Sequence, residues 1–256
     1  MKLVIGEYNE GRLVPGYNEQ GDEIPGSTLQ ELKTRFNEQY REANIKLTEQ
    51  QLLRAATPDQ DIIQAVHSLE NLDVILNSMG KYTTEWYELH HPDEDVTWDE
   101  LALWNVEQPG LQELNAAVNT LMQARERIVD LIDAMMQQTM PNTAAVAGSL
   151  IGAKLLAASG DVQRMASMPA TTIQLLGAEQ ALFRHLRNRN IAPPKHGLLF
   201  NHPLVQQAPV KLRGKMARTL ANNISLASRV DFYKGEYCGD RLKQKVEATF
   251  NALARK

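Results

Sequence analysis

Apolar side chains recur along this chain at three- and four-residue intervals over long stretches, which is the periodicity of helices rather than strands. From residue 58 to about 91, Ile62, Val66, Leu69, Leu72, Leu76 and Met79 are spaced 4, 3, 3, 4 and 3. Thr57-Pro58-Asp59 opens this stretch with a capping residue and a proline at the first helical position. The pattern fades before Pro92. A second run opens at Pro109-Gly110 and carries Leu111, Leu114, Val118, Leu121, Ile128, Ile132 and Met135, with Arg125 in the one seam slot between Leu121 and Ile128. An alternation close to 3.5 residues marks helices packed side by side. With a link of roughly 20 residues between them, the two runs predict an antiparallel coiled-coil hairpin over residues 56–140. The seam is either internal or shared with a second chain, so dimerisation through it is open.

The flanks read differently. Residues 1–55 begin with turn formers (Asn9-Glu10-Gly11, Pro15-Gly16, Gly21-Asp22, Pro25-Gly26). Between them, Leu3-Val4-Ile5 and Arg12-Leu13-Val14 predict a small β-hairpin, too little to be a domain by itself. Residues 29–54 turn helical and charged, with Leu29, Leu32, Phe36 and Tyr40 in phase. Behind the hairpin, Pro141-Asn142 ends the second long helix and opens a compact helical region over residues 141–256. Helices are predicted over 143–158, 169–185, 212–232 and 239–254. The first is dense in alanine and glycine, Gly148 and Gly152 included, which suits close helix packing, and Ser159-Gly160 ends it. The fold class expected is all-α.

Charge changes the picture more than composition does. From Gln180 onward there are 15 Lys and Arg against 4 Asp and Glu, a net +11, while the preceding residues hold 12 against 27, a net −15. Such a split points to an anionic partner for the basic half, the alternative being an acid–base contact between the halves. No apolar run reaches the roughly 20 residues that cross a bilayer, and the first residues do not read as a secretory signal. The single Cys238 removes an internal disulfide and a cysteine-based zinc site. The reading is an intracellular, cytoplasmic protein with no membrane partner.

Candidate chemistry is sparse. There is no phosphate-cradling glycine loop, no G-x-S-x-G elbow and no HExxH; no catalytic residue, cofactor or metal is expected, and the protein is not read as an enzyme. His90-His91-Pro92-Asp93-Glu94-Asp95 lacks a metal-ligand spacing and reads as a solvated helix–helix connection. The strongest signal follows Pro209. Lys211, Lys215, Arg218, Asn222, Ser225 and Arg229 are spaced 4, 3, 4, 3 and 4, which puts them within about 80° of one another on a helix. Met216, Ala217, Leu220, Ile224 and Ala227 fall opposite. An ordinary solvated face would include acids, and this stripe has none. Its donors and cations are what phosphate and sugar contacts require. Arg213 falls on the apolar side, where it either overhangs or pairs with a buried carboxylate.

A second basic cluster, Arg184, His185, Arg187 and Arg189, leads into Pro193-Pro194-Lys195-His196-Gly197. The two prolines stiffen the loop that presents Lys195 and His196. Phe183 either stacks on a base or, in phase with Leu182 and Leu186, belongs to the core.

Four segments in order then carry a resemblance: MPATTIQLLGAEQALFRHL over 168–186, PPKHGLLFNHP over 193–203, RGKMAR over 213–218, and ASRVDFY over 227–233 with Gly235-Glu236-Tyr237. Together they closely resemble the Nop domain of archaeal fibrillarin-partner proteins, the scaffolds of box C/D guide ribonucleoproteins. Glu85-Trp86-Tyr87-Glu88-Leu89-His90 is similar to the same family's helical hairpin. The resemblance implies a module that clamps a kink-turn RNA together with its small kink-turn-binding protein and does no chemistry itself. It places Glu179, Gln180, Phe183 and Arg184 near guide RNA, and Lys195, His196, Lys215, Arg218 and Arg229 on the binding face. Members with the full architecture begin with a sizeable α/β domain that holds a fibrillarin-type methyltransferase, where about 30 to 55 residues precede the first long helix here; recruitment of that enzyme is therefore open. Two further readings stand beside this one: a kink-turn module of another particle, like the spliceosomal relative, and a coiled-coil protein–protein adaptor without RNA.

Overall fold

The computed structural model describes residues 8–9, 12–13, 41–42, 44–46, 48–49, 57–104, 106 and 108–254. The chain divides into two compact units, Met1–Ala56 and Thr57–Lys256. In the first, β1 (Tyr8–Asn9) pairs antiparallel with β2 (Arg12–Leu13), Tyr8 opposite Leu13. The Leu3-Val4-Ile5 strand and the helical positions Leu29, Leu32, Phe36 and Tyr40 lie outside the described residues; helical backbone is described at 41–42, 44–46 and 48–49.

Helices are the regular elements among the described residues of the second unit. α1 (Pro58–Glu88) and α3 (Pro109–Thr139) are the two long arms, each starting on its proline. Thr57 holds the extended N-cap conformation without a side-chain cap bond; Asp59 and Asp61 supply negative charge to the first turn instead. Ile62, Val66, Leu69 and Leu76 from α1, and Leu111, Val118 and Ile132 from α3, are buried as the 3,4 spacing predicts. Arg125, the polar seam residue, reaches across to α1, its Nε donating to Asp73 Oδ1 at 2.5 Å.

The connection contains α2 (Trp98–Leu101), where the Thr97 N–H donates to Glu100 at 3.3 Å. A small core of Tyr87, Val96, Leu101, Val106 and Leu111 closes the tip of the hairpin. The histidine-rich segment is built into that tip. His91 stacks on Tyr87 with ring centroids 4.3 Å apart, and Tyr87 Oη donates to Glu94 at 2.7 Å, which with burial holds its pKa above the usual phenol value.

Beyond the arms come α4 (Pro141–Ala147), α5 (Ser149–Ser159), α6 (Val162–Ser167), α7 (Ala170–Leu175), α8 (Glu179–Arg187), a 3-10 turn (Leu198–Asn201), α9 (Pro203–Gln207), α10 (Arg213–Phe232) and α11 (Gly239–Ala254). Two helices expected as continuous are each broken by a glycine. Gly148, at φ 78°, separates α4 from α5, and Gly177, at φ 80°, separates α7 from α8. Positive φ is open to glycine and strained for other residues. The small-residue density around Gly148 therefore concealed a helix break as well as close packing.

A second, larger core joins the roots of the arms to the helices beyond them. Ile62, Val66 and Leu69 of α1 and Ile132 and Met136 of α3 share it with Leu155, Ile173, Met216, Leu220 and Ile224. At fully buried positions such as Leu220, truncation to alanine costs about 2–5 kcal/mol. Polar contacts tie the same regions: Gln60 Nε2 donates to the Gly160 carbonyl at 3.1 Å, and the Val162 N–H to Asp59 at 3.3 Å. No described helix is long and apolar enough to cross a membrane.

Candidate nucleic-acid interface

α10 carries the predicted stripe. Met216, Ala217, Leu220, Ile224 and Ala227 are fully buried, which fixes the helix rotation and turns Lys215, Arg218 and Asn222 outward, all three exposed. Lys211 is exposed in the turn before the helix, where Leu212 and Arg213 donate their N–H groups to the Pro209 carbonyl at 2.7 and 3.0 Å. Two members depart from the ladder. Ser225 is 4% exposed and donates to the Met168 carbonyl at 3.3 Å, so it is part of the packing. Arg229 is exposed, but its Nε donates to the Ala166 carbonyl at 3.2 Å and holds the side chain against the end of α6. Angle on a wheel gives direction; it does not reveal how far α6 and α7 extend over that direction.

Arg213 finds no buried carboxylate among the described residues. It donates to two backbone carbonyls, Ala208 at 3.2 Å and Gln206 at 3.0 Å, and its guanidinium lies 5.6 Å from the centre of the Phe200 ring. His196 stacks on the same ring, with centroids 4.7 Å apart and planes at 18°. Burial, the Arg213 charge and, more weakly, Lys195 hold the His196 pKa below the ordinary imidazole value.

The proline-stiffened loop is fastened to α7. Gly197 donates to the Gln174 carbonyl at 3.0 Å and Leu198 to that of Leu176 at 2.8 Å. The approach is so close that a Cβ on Gly197 would lie 1.9 Å from the Leu176 oxygen. Gln174 Nε2 donates to the Lys195 carbonyl at 2.7 Å. The exposed Lys195 runs past Gly214 in the first turn of α10, its Cβ 3.4 Å from where a glycine Cβ would stand. Loop and ladder are thus brought together. Gln174 did not stand out in the sequence; the available signal was an amide at a position flanked by Ile173, Leu175 and Leu176 in the first resembling segment.

α8 holds the remaining candidates, and none of its residues is buried. Glu179 accepts the Gly177 N–H at 2.7 Å, closing the turn that starts its own helix. The Gln180 carbonyl accepts Arg184 Nε at 3.4 Å. Arg184 and Arg187 are exposed. Phe183 is 59% exposed, which decides between its two readings: it is on the surface beside the arginines and outside the core. His185 Nδ1 lies 2.5 Å from the Ile191 carbonyl and anchors the chain leaving the helix. No cluster of three or more potential metal-ligating side chains occurs among the described residues. What this surface offers is cations, amides, one outward aromatic ring and backbone held by short loops.

Comparison with known proteins gives this surface its context. An uncharacterised NOP5 family protein of Methanocaldococcus jannaschii is 31% identical over 245 residues, covering 79% of this chain and 59% of that protein. Nucleolar protein 56 of Caenorhabditis elegans is 27% identical, covering 88% of this chain and 56% of the relative. Nucleolar protein 58 of Neosartorya fischeri is 31% identical, covering 68% and 36%. The chain thus spans about a third to three fifths of the length of these curated relatives. Among solved structures, a chain of a fibrillarin/Nop5p complex shares the fold, with a TM-score of 0.57 at 22% identity, over 98% of this chain and 98% of that one. That likeness extends across nearly the whole length of both chains. The family model described as "Nop: snoRNA binding domain, fibrillarin" matches residues 100–252, more than half of the chain, and the chain belongs to the Nop family.

Proposed function

We propose that this protein is a non-catalytic ribonucleoprotein scaffold whose face built by α10 and the loop 193–197 binds a kink-turn RNA already holding its small kink-turn-binding protein. The observation that carries the reading is the acid-free stripe of Lys215, Arg218 and Asn222, continued by Lys211 in the preceding turn, on a helix whose other side is locked into the core. A rigid row of donors and cations suits phosphate and sugar contacts, which position a protein on RNA without reading sequence. Phe183, Arg184 and Arg187 on α8, beside Glu179 and Gln180, form the companion surface, where an outward ring suits stacking on an unpaired base or a duplex end. His196 and Arg229 act from anchored positions at the edges. The relatives named nucleolar proteins 56 and 58 support an intracellular particle, and the family description supports RNA of the small nucleolar guide class.

Fibrillarin is the protein partner that the comparisons favour. The matched structure is titled as a complex of fibrillarin with Nop5p, and the likeness covers that chain almost completely. In this reading the methyltransferase does the chemistry and this chain holds it in register with the RNA.

A gel-shift titration with a kink-turn RNA, with and without the kink-turn-binding protein, tests the proposal. Binding is expected to tighten when the protein is present and to fall with salt. The paired change Lys215→Glu and Arg218→Glu is expected to abolish it. Equal affinity for an unrelated duplex, indifferent to the kink-turn protein, would overturn the reading. Unchanged binding by the charge-reversed chain would remove the α10 face from the contact, and no kink-turn binding by the parent chain would favour the adaptor alternative.

A further inference from the structure

We infer that Gln174 is a positioning residue for RNA recognition: it fixes Lys195 against the ladder on α10 without touching RNA itself. The inference rests on the reading above. The Gln174 side chain is only 8% exposed. Its amide nitrogen donates to the Lys195 carbonyl at 2.7 Å and approaches the Gly214 carbonyl at 3.5 Å. A primary amide has two N–H groups on one nitrogen, so a single side chain can address two carbonyls on different segments. One belongs to the stiff loop, the other to the first turn of α10. Apolar residues of the same size have no donor, and a carboxylate has only acceptors at neutral pH.

The geometry around this amide gives it leverage. The loop is held from one side by backbone bonds, from Gly197 to Gln174 and from Leu198 to Leu176, both beyond Lys195 in the chain. On the other side of Lys195 stand Pro193 and Pro194, which have no N–H to give. The Gln174 amide is therefore what fastens the Lys195 carbonyl itself. The lysine stem passes beside α10 at Gly214, at ordinary van der Waals distance from where a Cβ there would stand. With the amide in place, Lys195 joins Lys211, Lys215 and Arg218 as one row of cations; without it, Lys195 hangs from two prolines. Several charges held in fixed register bind a phosphate backbone better than the same charges on a loose loop, because the ordering cost has been met in advance.

The test is a double-mutant cycle on the full chain with Gln174→Met, which keeps the size and removes the donor, and Lys195→Ala. The probe is a kink-turn RNA with its kink-turn-binding protein, titrated from low to moderate salt. Lys195→Ala is expected to lower the salt slope by about one. Gln174→Met is expected to weaken binding by about three- to tenfold and to lower the slope in the same way. The double variant should bind no more weakly than the weaker single one, because the two changes remove the same contact. Additive losses would overturn the inference, since a merely structural role acts on every contact alike. Hydrogen exchange of the free protein is the second readout. Gln174→Met should speed exchange at Gly197 and Leu198, whose N–H groups carry the backbone bonds of the loop, by about tenfold while leaving Met216 and Leu220 protected. Unchanged exchange at the loop overturns the positioning role even if RNA binding falls. Accelerated exchange in a chain that binds no kink-turn particle upholds the clamp and refutes the RNA reading instead.

Discussion

Asp231, at the end of α10, closes the start of α4 through Thr143. Its Oδ2 accepts the Thr143 N–H at 2.9 Å and the Thr143 hydroxyl at 2.7 Å, while Oδ1 accepts the backbone and side-chain N–H groups of Asn142 at 3.0 and 2.8 Å. Asn142 Oδ1 then takes the N–H of Cys238, just before α11. One carboxylate thus joins three helices. It does so at a helix N-terminus, where negative charge is favoured and the first N–H groups lack partners.

Replacing Asp231 with alanine leaves several buried donors unpaired, and the expected cost is about 2–4 kcal/mol in urea unfolding. Asp231→Asn keeps one acceptor and should retain part of that. A loss below half a kilocalorie for the alanine variant would show that water replaces the carboxylate without penalty.

Arg125 and Asp73 invite a different expectation. Their side chains are 39% and 32% exposed, so solvent screens the pair despite its short contact. A double-mutant cycle to alanine should give a coupling of at most about 1 kcal/mol. Arg125→Leu would extend the apolar seam, and its thermal midpoint is expected to match or exceed that of the parent. A large drop would mean that the ion pair sets the register of the arms.

Two glycines should fail in different ways. Among the described residues nothing lies within 4 Å of where a Cβ on Gly148 would stand, so alanine there meets only backbone strain at φ 78°, about 1–3 kcal/mol. A Cβ at Gly197 would meet the Leu176 oxygen at 1.9 Å, and neither backbone can yield without lifting the loop. Gly197→Ala should therefore cost about 3 kcal/mol or release residues 193–197, with RNA binding lost in either case. Gly148→Ala should bind RNA normally once folded.

His202 gives the pH dependence its sign. Burial, with a smaller push from Lys243, holds its pKa below the ordinary value, outweighing the opposing Val146 carbonyl. Its Nδ1 accepts the Leu204 N–H at 3.2 Å, a bond available only to a ring unprotonated at that atom. The unfolded chain therefore takes up this proton first. The stabilisation is complete above about pH 6.5 and is lost as pH falls through the lower folded value. Urea midpoints measured from pH 7.5 to 5 should decline more steeply for the parent than for His202→Gln. His196 shifts in the same direction, so the difference between the two chains is the informative quantity. Parallel curves would remove His202 from the account.

Much of this molecule is legible in its sequence because helix periodicity and charge are local properties. The arms, their proline starts and the buried row from Met216 to Ala227 follow from spacing alone, as do Lys215, Arg218 and Asn222 on the open side. Other features depend on what packs nearby. Ser225 shares the angle of the ladder but lies under the end of α6, and Arg229 is drawn to a carbonyl there. Gly148 and Gly177 read as small helix residues because composition does not report φ. Gln174 is invisible for the same kind of reason: its partners, Lys195 and Gly214, are 21 and 40 residues away.

The shared core has a mechanical consequence. Since Ile62, Leu69, Ile132 and Met136 are embedded among the residues that also hold α10, the root of the hairpin is no hinge. Each 31-residue arm extends about 46 Å. The hairpin is therefore a ruler: whatever grips the tip around Tyr87 and Trp104 is kept at a set offset from the α10 face proposed to bind RNA, and a length error in either arm would misplace one end relative to the other.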